Sequence, residues 1–111
     1  MAGGLAFAKN DHDWSLRCRK RDRHRCRLAF PPKPKDDFLG CIGHADQVHH
    51  VYGRGLQETR LLLLNGLSIC AVCHDWVEQH PTRGLAVCRR VIGETDWQIL
   101  EAFVTRHYGR V

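Results

Sequence analysis

The feature that most constrains the fold of this chain is the pair of cysteines in Cys70-Ala-Val-Cys73. Two thiolates at this spacing can both reach one tetrahedral Zn²⁺ at about 2.3 Å, because the turn between them aims both sulfurs at one point. A chain of 111 residues has a limited hydrophobic core and often needs disulfides or a structural metal for stability. The cysteine pair therefore predicts a metal site around which the domain is organised.

The second half of this site would come from Cys26 and Cys41, which lie on either side of the proline-rich segment 30–37. A long insertion between two ligands is tolerated, because the entropy of closing a loop grows only logarithmically with its length. The alternative is that these cysteines are free thiols packed as small hydrophobic side chains. Cys88 and Cys18 have no partner at a convincing spacing, so we expect Cys88 in the core and Cys18 in the core or as a spare ligand.

The N-terminal segment and the hydropathy of the chain indicate the compartment. The first residues lack the basic start and apolar core of a signal peptide, and no run of 18 apolar residues predicts a membrane-spanning helix. We therefore expect a cytoplasmic protein that does not associate with a membrane. Disulfides are disfavoured in a reducing compartment, which again favours metal binding by the cysteines.

A basic block near the N-terminus accounts for the whole of the formal net charge of +5. Seven cationic side chains fall within eleven residues and are opposed only by Asp22: Arg17, Arg19, Lys20, Arg21, Arg23, Arg25 and Arg27. Such a block is typical of a surface that binds a polyanion through its phosphates, without reading bases. The alternative is a solvated helix face with no partner.

Hydrophobic patterning predicts an α+β domain. In chain order we expect loosely ordered residues 1–13, a helix over 14–20, a strand over 47–52, a short helix over 57–64, a tight turn at Asn65-Gly66, a short strand over 67–70, a helix over 72–79, a strand or buried extended segment over 84–92, and a last helix over 97–108. The last helix would be capped by Thr95 or Asp96 and would bury Trp97, Leu100 and Val104.

Histidines and a glutamate suggest a second metal site, suited to a harder cation than the cysteine site. His49 and His50 are neighbours in a predicted strand, where they would face opposite sides and have different roles. His74 and Glu78 are four residues apart on a predicted helix, so they share a face. A strand that carries His49 and a helix that carries this pair can hold a cation with open positions for water and substrate.

The order of these residues resembles that of the HNH endonucleases, which share the ββα-metal fold. The segments RDRHRCRL and CIGHADQVHHV resemble in particular the small free-standing HNH proteins of bacteriophages and prophages, and the resemblance covers roughly residues 21–81. It implies a basic N-terminal extension (1–20), a zinc-stapled nuclease core (21–82) and a C-terminal extension packed on the core (83–111). It also implies hydrolysis of DNA by a monomer or weak dimer, with phage packaging proteins such as a terminase as candidate partners.

The resemblance also implies roles for individual residues. His49 and His74 would bind the catalytic cation, His50 would be the general base, and Asn65 would brace the hairpin and orient that base through a hydrogen bond. Cys26, Cys41, Cys70 and Cys73 would bind the structural Zn²⁺, and the basic block together with Arg54 would hold the DNA backbone.

The chain departs from the family at Glu78, where many relatives have a histidine. Glutamate is a hard ligand, so the departure favours Mg²⁺ or Mn²⁺ as the catalytic cation over Zn²⁺ or Ni²⁺. It is also the best support for the alternative function, a zinc-binding nucleic-acid-binding module whose nuclease centre is vestigial.

Overall fold

The computed structural model describes residues 5–28, 41–53 and 55–109. Within these ranges the chain forms an α+β domain, as predicted, with four α-helices and one two-stranded antiparallel sheet. In chain order the elements are α1 (Asp11–Arg21), β1 (Gln47–His50), a 3-10 turn (Leu63–Asn65), β2 (Gly66–Ile69), α2 (Ala71–Gln79), α3 (Pro81–Ile92) and α4 (Glu94–Tyr108).

The sheet separates two packing faces. Strand β1 pairs with β2 so that His49 lies opposite Leu67 and His50 opposite Gly66. Because side chains alternate along a strand, Leu67 points into the core formed with α2 and α3, whereas Gly66 meets α1 on the other face. The two neighbouring histidines therefore lie on different faces, as the sequence predicts.

Helix α1 approaches β2 unusually closely at Gly66. A Cβ atom at this position would lie 2.5 Å from Cys18 Sγ and 2.8 Å from the indole of Trp14. Only glycine leaves room for both side chains, so Gly66 sets the distance between the helix and the strand.

A buried carboxylate anchors the end of α1. Asp22 is 8% exposed and accepts hydrogen bonds from Arg21, from Arg27 at 2.8 Å and from the backbone N–H of Ser68 at 3.2 Å. Burial opposes ionisation, but the hydrogen bond and charge of Arg21 and the charge of Arg27 outweigh it and hold the pKa of Asp22 below its usual value. The network ties α1 to β2.

The two C-terminal helices pack on each other, and α3 also packs against α2 while α4 packs against the 3-10 turn. Helix α3 begins at Pro81, with only His80 between it and the end of α2. Proline suits the first helical position because a backbone N–H there would have no partner within the helix. Helix α4 buries Trp97, Leu100 and Val104, as predicted, together with Phe103, against Leu62.

Several predicted elements are wrong. Residues 84–92 form most of α3 and not a strand, because Gly84, Val87 and Cys88 are buried at helical spacing. Residues 57–61 form turns and not a helix, and Leu62 is extended and pairs with Phe7.

The predicted local signals at two positions are also wrong. Asn65-Gly66 is not a tight turn, because Gly66 is extended and begins β2. The last helix begins at Glu94 with Gly93 as its N-cap, so Thr95 and Asp96 lie inside its first turn.

The N-terminal prediction requires a further correction. Residues 5–13 are predicted to be loosely ordered, but Phe7 pairs with Leu62 and α1 begins at Asp11, so this segment has defined structure. Residues 1–4, the proline-rich segment 30–37 and position 54 lie outside the described residues.

No helix in the part of the chain that the structure describes combines the length and apolar character needed to cross a membrane.

Candidate metal centre and catalytic cleft

Four cysteine sulfurs converge on one point. The Sγ atoms of Cys26, Cys41, Cys70 and Cys73 all lie within 4.8 Å of one another, and those of Cys41 and Cys70 are 3.8 Å apart. Four sulfurs at about 2.3 Å from a tetrahedral zinc are about 3.8 Å from one another, so the observed spacing suits this ion. The cluster can therefore hold a metal such as zinc, with the four ligands predicted from the sequence.

Three separate segments supply these ligands. Cys26 follows the turn after α1, where Arg23 and His24 adopt positive φ angles of 55° and 57°. The N–H of Cys26 donates a hydrogen bond to the carbonyl of Gly43, and this bond places the segment that carries Cys41 next to Cys26. The other two ligands flank the start of α2, where Cys70 is the N-cap and its sulfur accepts a hydrogen bond from the N–H of Cys73 at 3.4 Å.

Among the cysteine thiols, that of Cys26 stands apart in its electrostatics. A hydrogen bond from Cys73 lowers the pKa of the Cys26 thiol to about 5, whereas burial raises the pKa of Cys41. Burial raises the pKa of Cys18 to about 11 and that of Cys88 to about 12, so both remain neutral thiols. Cys88 lies in the core as predicted, and Cys18 is a core residue of the α1 face.

A cleft of about 550 Å³ lies between β1, α2 and the start of α3. Its polar lining consists of histidines and one carboxylate, and its remaining lining is largely apolar. The lining residues are Val48, His49, His50, Val51, Gly53, His74, Val77, Glu78, Pro81 and Leu85. The cleft thus brings together the predicted site residues His49, His50, His74 and Glu78. Pro81 and Leu85 of α3 also line it, which no local sequence pattern predicts.

His74 is held so that one nitrogen faces Glu78. Its Nδ1 lies 2.7 Å from the side-chain oxygen of Gln47, an acceptor, so Nδ1 carries the proton and Nε2 the lone pair of the neutral ring. Nε2 lies 3.1 Å from Glu78 Oε1. The two side chains can therefore share a proton, as in an ion pair, or a cation. Sequence reasoning missed Gln47.

His49 lies next to His74 on the strand side of the cleft. Its ring centre lies 5.4 Å from that of His74 at an angle of 64°. Burial, reinforced by the neighbouring His74 and His50, lowers the pKa of His49 to about 4. At neutral pH His49 is therefore uncharged and has a lone pair available for a cation.

His50 is held on the opposite face of β1. Its ring stacks on the indole of Trp14, with centroids 3.9 Å apart and an interplanar angle of 8°. Its Nε2 lies 3.2 Å from the carbonyl oxygen of Arg60, which can only accept a hydrogen bond. Nε2 of the neutral ring therefore carries the proton and Nδ1 the basic lone pair. Sequence reasoning missed both Trp14 and Arg60 as neighbours of this histidine.

Asn65 is a brace for the segment that joins the two strands. It is fully buried, and its amide accepts from the N–H of Tyr52 at 2.8 Å and donates to the carbonyls of Tyr52 at 2.9 Å and Thr59 at 3.4 Å. The side chain thus bonds the backbone of the connecting segment, whereas the carbonyl that holds His50 Nε2 is that of Arg60.

The basic block divides into two groups. Arg21 and Arg27 neutralise Asp22 inside the fold, and Arg17 pairs with Asp13 at 3.7 Å. The Nε of Arg19 donates to the carbonyl of its own helix at Ser15. Lys20, Arg23 and Arg25 are exposed and make no ion pair with the described residues. Arg54 lies outside the described residues.

No protein-family model, curated protein or solved structure matches the chain. The geometry and charge of the site, together with the order of its residues along the chain, are therefore the grounds for a functional assignment.

Proposed function

We propose that the protein is a metal-dependent endonuclease of the HNH type that hydrolyses phosphodiester bonds in DNA. One observation carries the assignment: His49, His74 and Glu78 line the same cleft between β1 and α2, and the adjacent His50 lines it too, with its Nε2 bonded to the carbonyl of Arg60 and its Nδ1 left as the basic nitrogen. A cation site beside a positioned general base is the combination that metal-assisted hydrolysis requires.

His49, His74 and Glu78 would hold the cation, which supplies charge neutralisation at the scissile phosphate when bound. His50 would accept the proton of the attacking water at Nδ1 while Nε2 stays bonded to Arg60. An imidazole suits this task because its unperturbed pKa of about 6.5 leaves most of it in the basic form at pH 7.

The cysteine cluster would hold a structural zinc that fixes the start of α2. His74 directly follows Cys73, so the position of the sulfur ligand determines that of the proposed cation ligand. Lys20, Arg23 and Arg25 are the best candidates for contacts with DNA phosphates, because they are exposed and have no acidic partner among the described residues. We place the activity in a bacterial cytoplasm, alongside phage packaging proteins such as a terminase.

The experiment that tests this function is a nicking assay on supercoiled plasmid with Mg²⁺ or Mn²⁺, with and without EDTA. We expect nicked circles that appear only with the cation, at a rate that falls by about 10²- to 10⁴-fold in His50→Ala. A folded protein that binds DNA but leaves the plasmid intact with either cation would rule out the nuclease. The presence of a glutamate at position 78 would then favour a zinc-binding nucleic-acid-binding module.

A further inference from the structure

The stack between Trp14 and His50 is the tightest aromatic contact of the described residues. The ring centroids are 3.9 Å apart and the planes are nearly parallel at 8°. The other pairings of tryptophan with an aromatic ring, Trp76 with His80 and Tyr52 with Trp97, are more distant at 5.2 and 5.8 Å and more tilted at 26° and 28°. The imidazole of His50 therefore lies flat on the indole over most of its face.

Trp14 is itself immobilised. Its side chain is 3% exposed, and its indole N–H donates to the carbonyl of Leu62 at 3.0 Å. The close approach at Gly66 leaves the ring no space on the side of β2. A rigid indole defines the plane of whatever ring is stacked on it.

Two restraints on His50 act in different directions. The hydrogen bond from Nε2 to Arg60 fixes the rotation of the ring within its plane and the tautomer, but permits tilting. The indole of Trp14 blocks tilting. Only the two together give Nδ1 a single direction, which a general base needs because its proton transfer depends on alignment within about 10–20°.

We propose, on the basis of the nuclease function above, that Trp14 is a positioning residue that holds the plane of the His50 imidazole for proton abstraction. Helix α1, which precedes the hairpin and the metal ligands, is thereby part of the catalytic apparatus. The stack acts on His50 alone, so cation binding by His49 and His74 on the other face of β1 does not depend on it.

The test compares three variants at a temperature where circular dichroism shows all of them folded. Trp14→Met removes the aromatic plane, Trp14→Phe keeps a plane but lacks the indole N–H, and Trp97→Met removes an equally buried tryptophan, also 3% exposed, from the α4 cluster. The maximal nicking rate, the DNA concentration at half-maximal rate and the Mn²⁺ requirement are measured for each. The ¹H–¹³C resonances of the His50 ring, assigned by their disappearance in His50→Ala, report the stack through the upfield ring-current shift from the indole.

We expect Trp14→Met to lower the maximal rate by about 10- to 100-fold, as misalignment of a reacting group does. The half-maximal DNA and Mn²⁺ concentrations stay unchanged, and the ring-current shift disappears. Trp97→Met retains the rate and the shift, and Trp14→Phe retains most of both. A Trp14→Met rate equal to that of Trp97→Met would overturn the positioning role and leave Trp14 as a core residue.

If Trp14→Met does not fold, Trp14→Phe decides. The positioning role is supported if the nicking rate and the ring-current shift of His50 are both retained in this variant, or if both are lost. A wild-type nicking rate without the ring-current shift overturns it. Failure of the nuclease function itself is distinct, since the wild-type protein would then not nick DNA at all, and the positioning role would fall with it.

Discussion

His49 and His50 are separated by one peptide bond and both line the cleft, yet their rings have different neighbours. His49 faces α2 and shares the cleft with His74, whereas His50 faces α1 and is held by Trp14 and the carbonyl of Arg60. The alternation of side chains along β1 is the physical cause of this division. Because of this alternation, β1 can carry His49 as a candidate cation ligand and His50 as a candidate base, and the two rings do not compete for the same partners.

The two histidines should respond differently to alanine substitution. His50→Ala should abolish nicking while cation and DNA binding persist, because only the proton acceptor is removed. His49→Ala should raise the Mn²⁺ concentration needed for activity, and excess Mn²⁺ should restore part of the rate, because mass action offsets a missing ligand. Titration of Mn²⁺ in the plasmid assay distinguishes them, with zinc content as the control for folding. Rescue of His50→Ala by Mn²⁺ would contradict the assignment of roles.

Gln47 should control cation affinity through His74. Gln47→Leu removes the acceptor that keeps the proton on Nδ1 of His74, so the lone pair is no longer confined to Nε2. Removal of such a supporting hydrogen bond typically costs about 10- to 100-fold in metal affinity or activity. The measurement is the Mn²⁺ concentration at half-maximal rate, with Gln79→Leu on the exposed end of α2 as the control. Equal Mn²⁺ requirements in Gln47→Leu and Gln79→Leu would show that Gln47 does not support cation binding.

At the scale of elements, α1 is attached to the sheet by both shape and charge. Gly66 admits the helix, and the carboxylate of Asp22 joins Arg21, Arg27 and the N–H of Ser68. The same arginines that look like phosphate contacts in the sequence are thus part of the internal structure. Substitutions within one basic block can therefore test fold stability and the proposed DNA binding separately.

Asp22→Asn should destabilise the fold in a pH-dependent way. The folded-state pKa of Asp22 is depressed, so its contribution is fully present above the unfolded pKa of about 3.9 and disappears as pH falls through the lower folded value. At pH 7 the substitution should cost about 1–2 kcal/mol of unfolding free energy, because it removes the buried carboxylate from two arginines that are themselves partly screened by solvent. Urea unfolding of both proteins between pH 7 and 3 measures the difference, which should shrink below about pH 4. The exposed Asp75→Asn is the control, and a difference independent of pH would exclude the carboxylate as the cause.

The elements differ in how far the sequence could predict them. The hairpin strands, α1, α2 and α4 follow from periodicity and β-branched content, and the convergence of the cysteines follows from ligand spacing. Helix α3 could not be distinguished from a buried strand, because residues 84–92 are a short, largely apolar run whose spacing fits both a helix and a buried strand. The apolar wall from Pro81 and Leu85, and the contacts of His50 with Trp14 and Arg60, depend on how distant segments pack and leave no local signal.

At the scale of the whole molecule, the cysteine cluster joins the segment after α1, the segment before β1 and the start of α2. A metal at this point links parts of the chain that the small core would otherwise hold weakly. For small domains of this kind, metal binding free energy is also folding free energy.

Purified protein should contain close to one zinc per chain, retained through mild EDTA. Cys70→Ser should release the zinc and abolish most of the fold, whereas Cys88→Ala, at an equally buried cysteine outside the cluster, should retain full zinc content. Elemental analysis and thermal melts by circular dichroism measure both effects. Folded wild-type protein without zinc would show that the four thiols are only core residues.

DNA affinity should depend on the exposed members of the basic block. Arg23→Glu or Arg25→Glu should weaken binding alike for all sequences and reduce the slope of log affinity against log salt by about 0.9 for each phosphate that is no longer neutralised. Arg21→Glu should instead lower stability, because it breaks the pair with Asp22. Fluorescence anisotropy over a salt series is the measurement, with the exposed Arg106→Glu as the charge-matched control. A change in sequence preference at constant affinity would contradict phosphate binding.

The packing of α1 on the sheet also has a consequence for the order of events during synthesis. The carbonyl that receives the indole N–H of Trp14 lies 48 residues further along the chain, and the partners of Arg21 and Asp22 on β2 follow them by 45 and 46 residues. At about 5–20 residues per second, a ribosome needs about 2–10 s to add that stretch. During this interval Trp14 and Cys18 lack their partners at Leu62, Leu63 and Gly66, so the buried face of α1 stays uncovered until β2 has been synthesised.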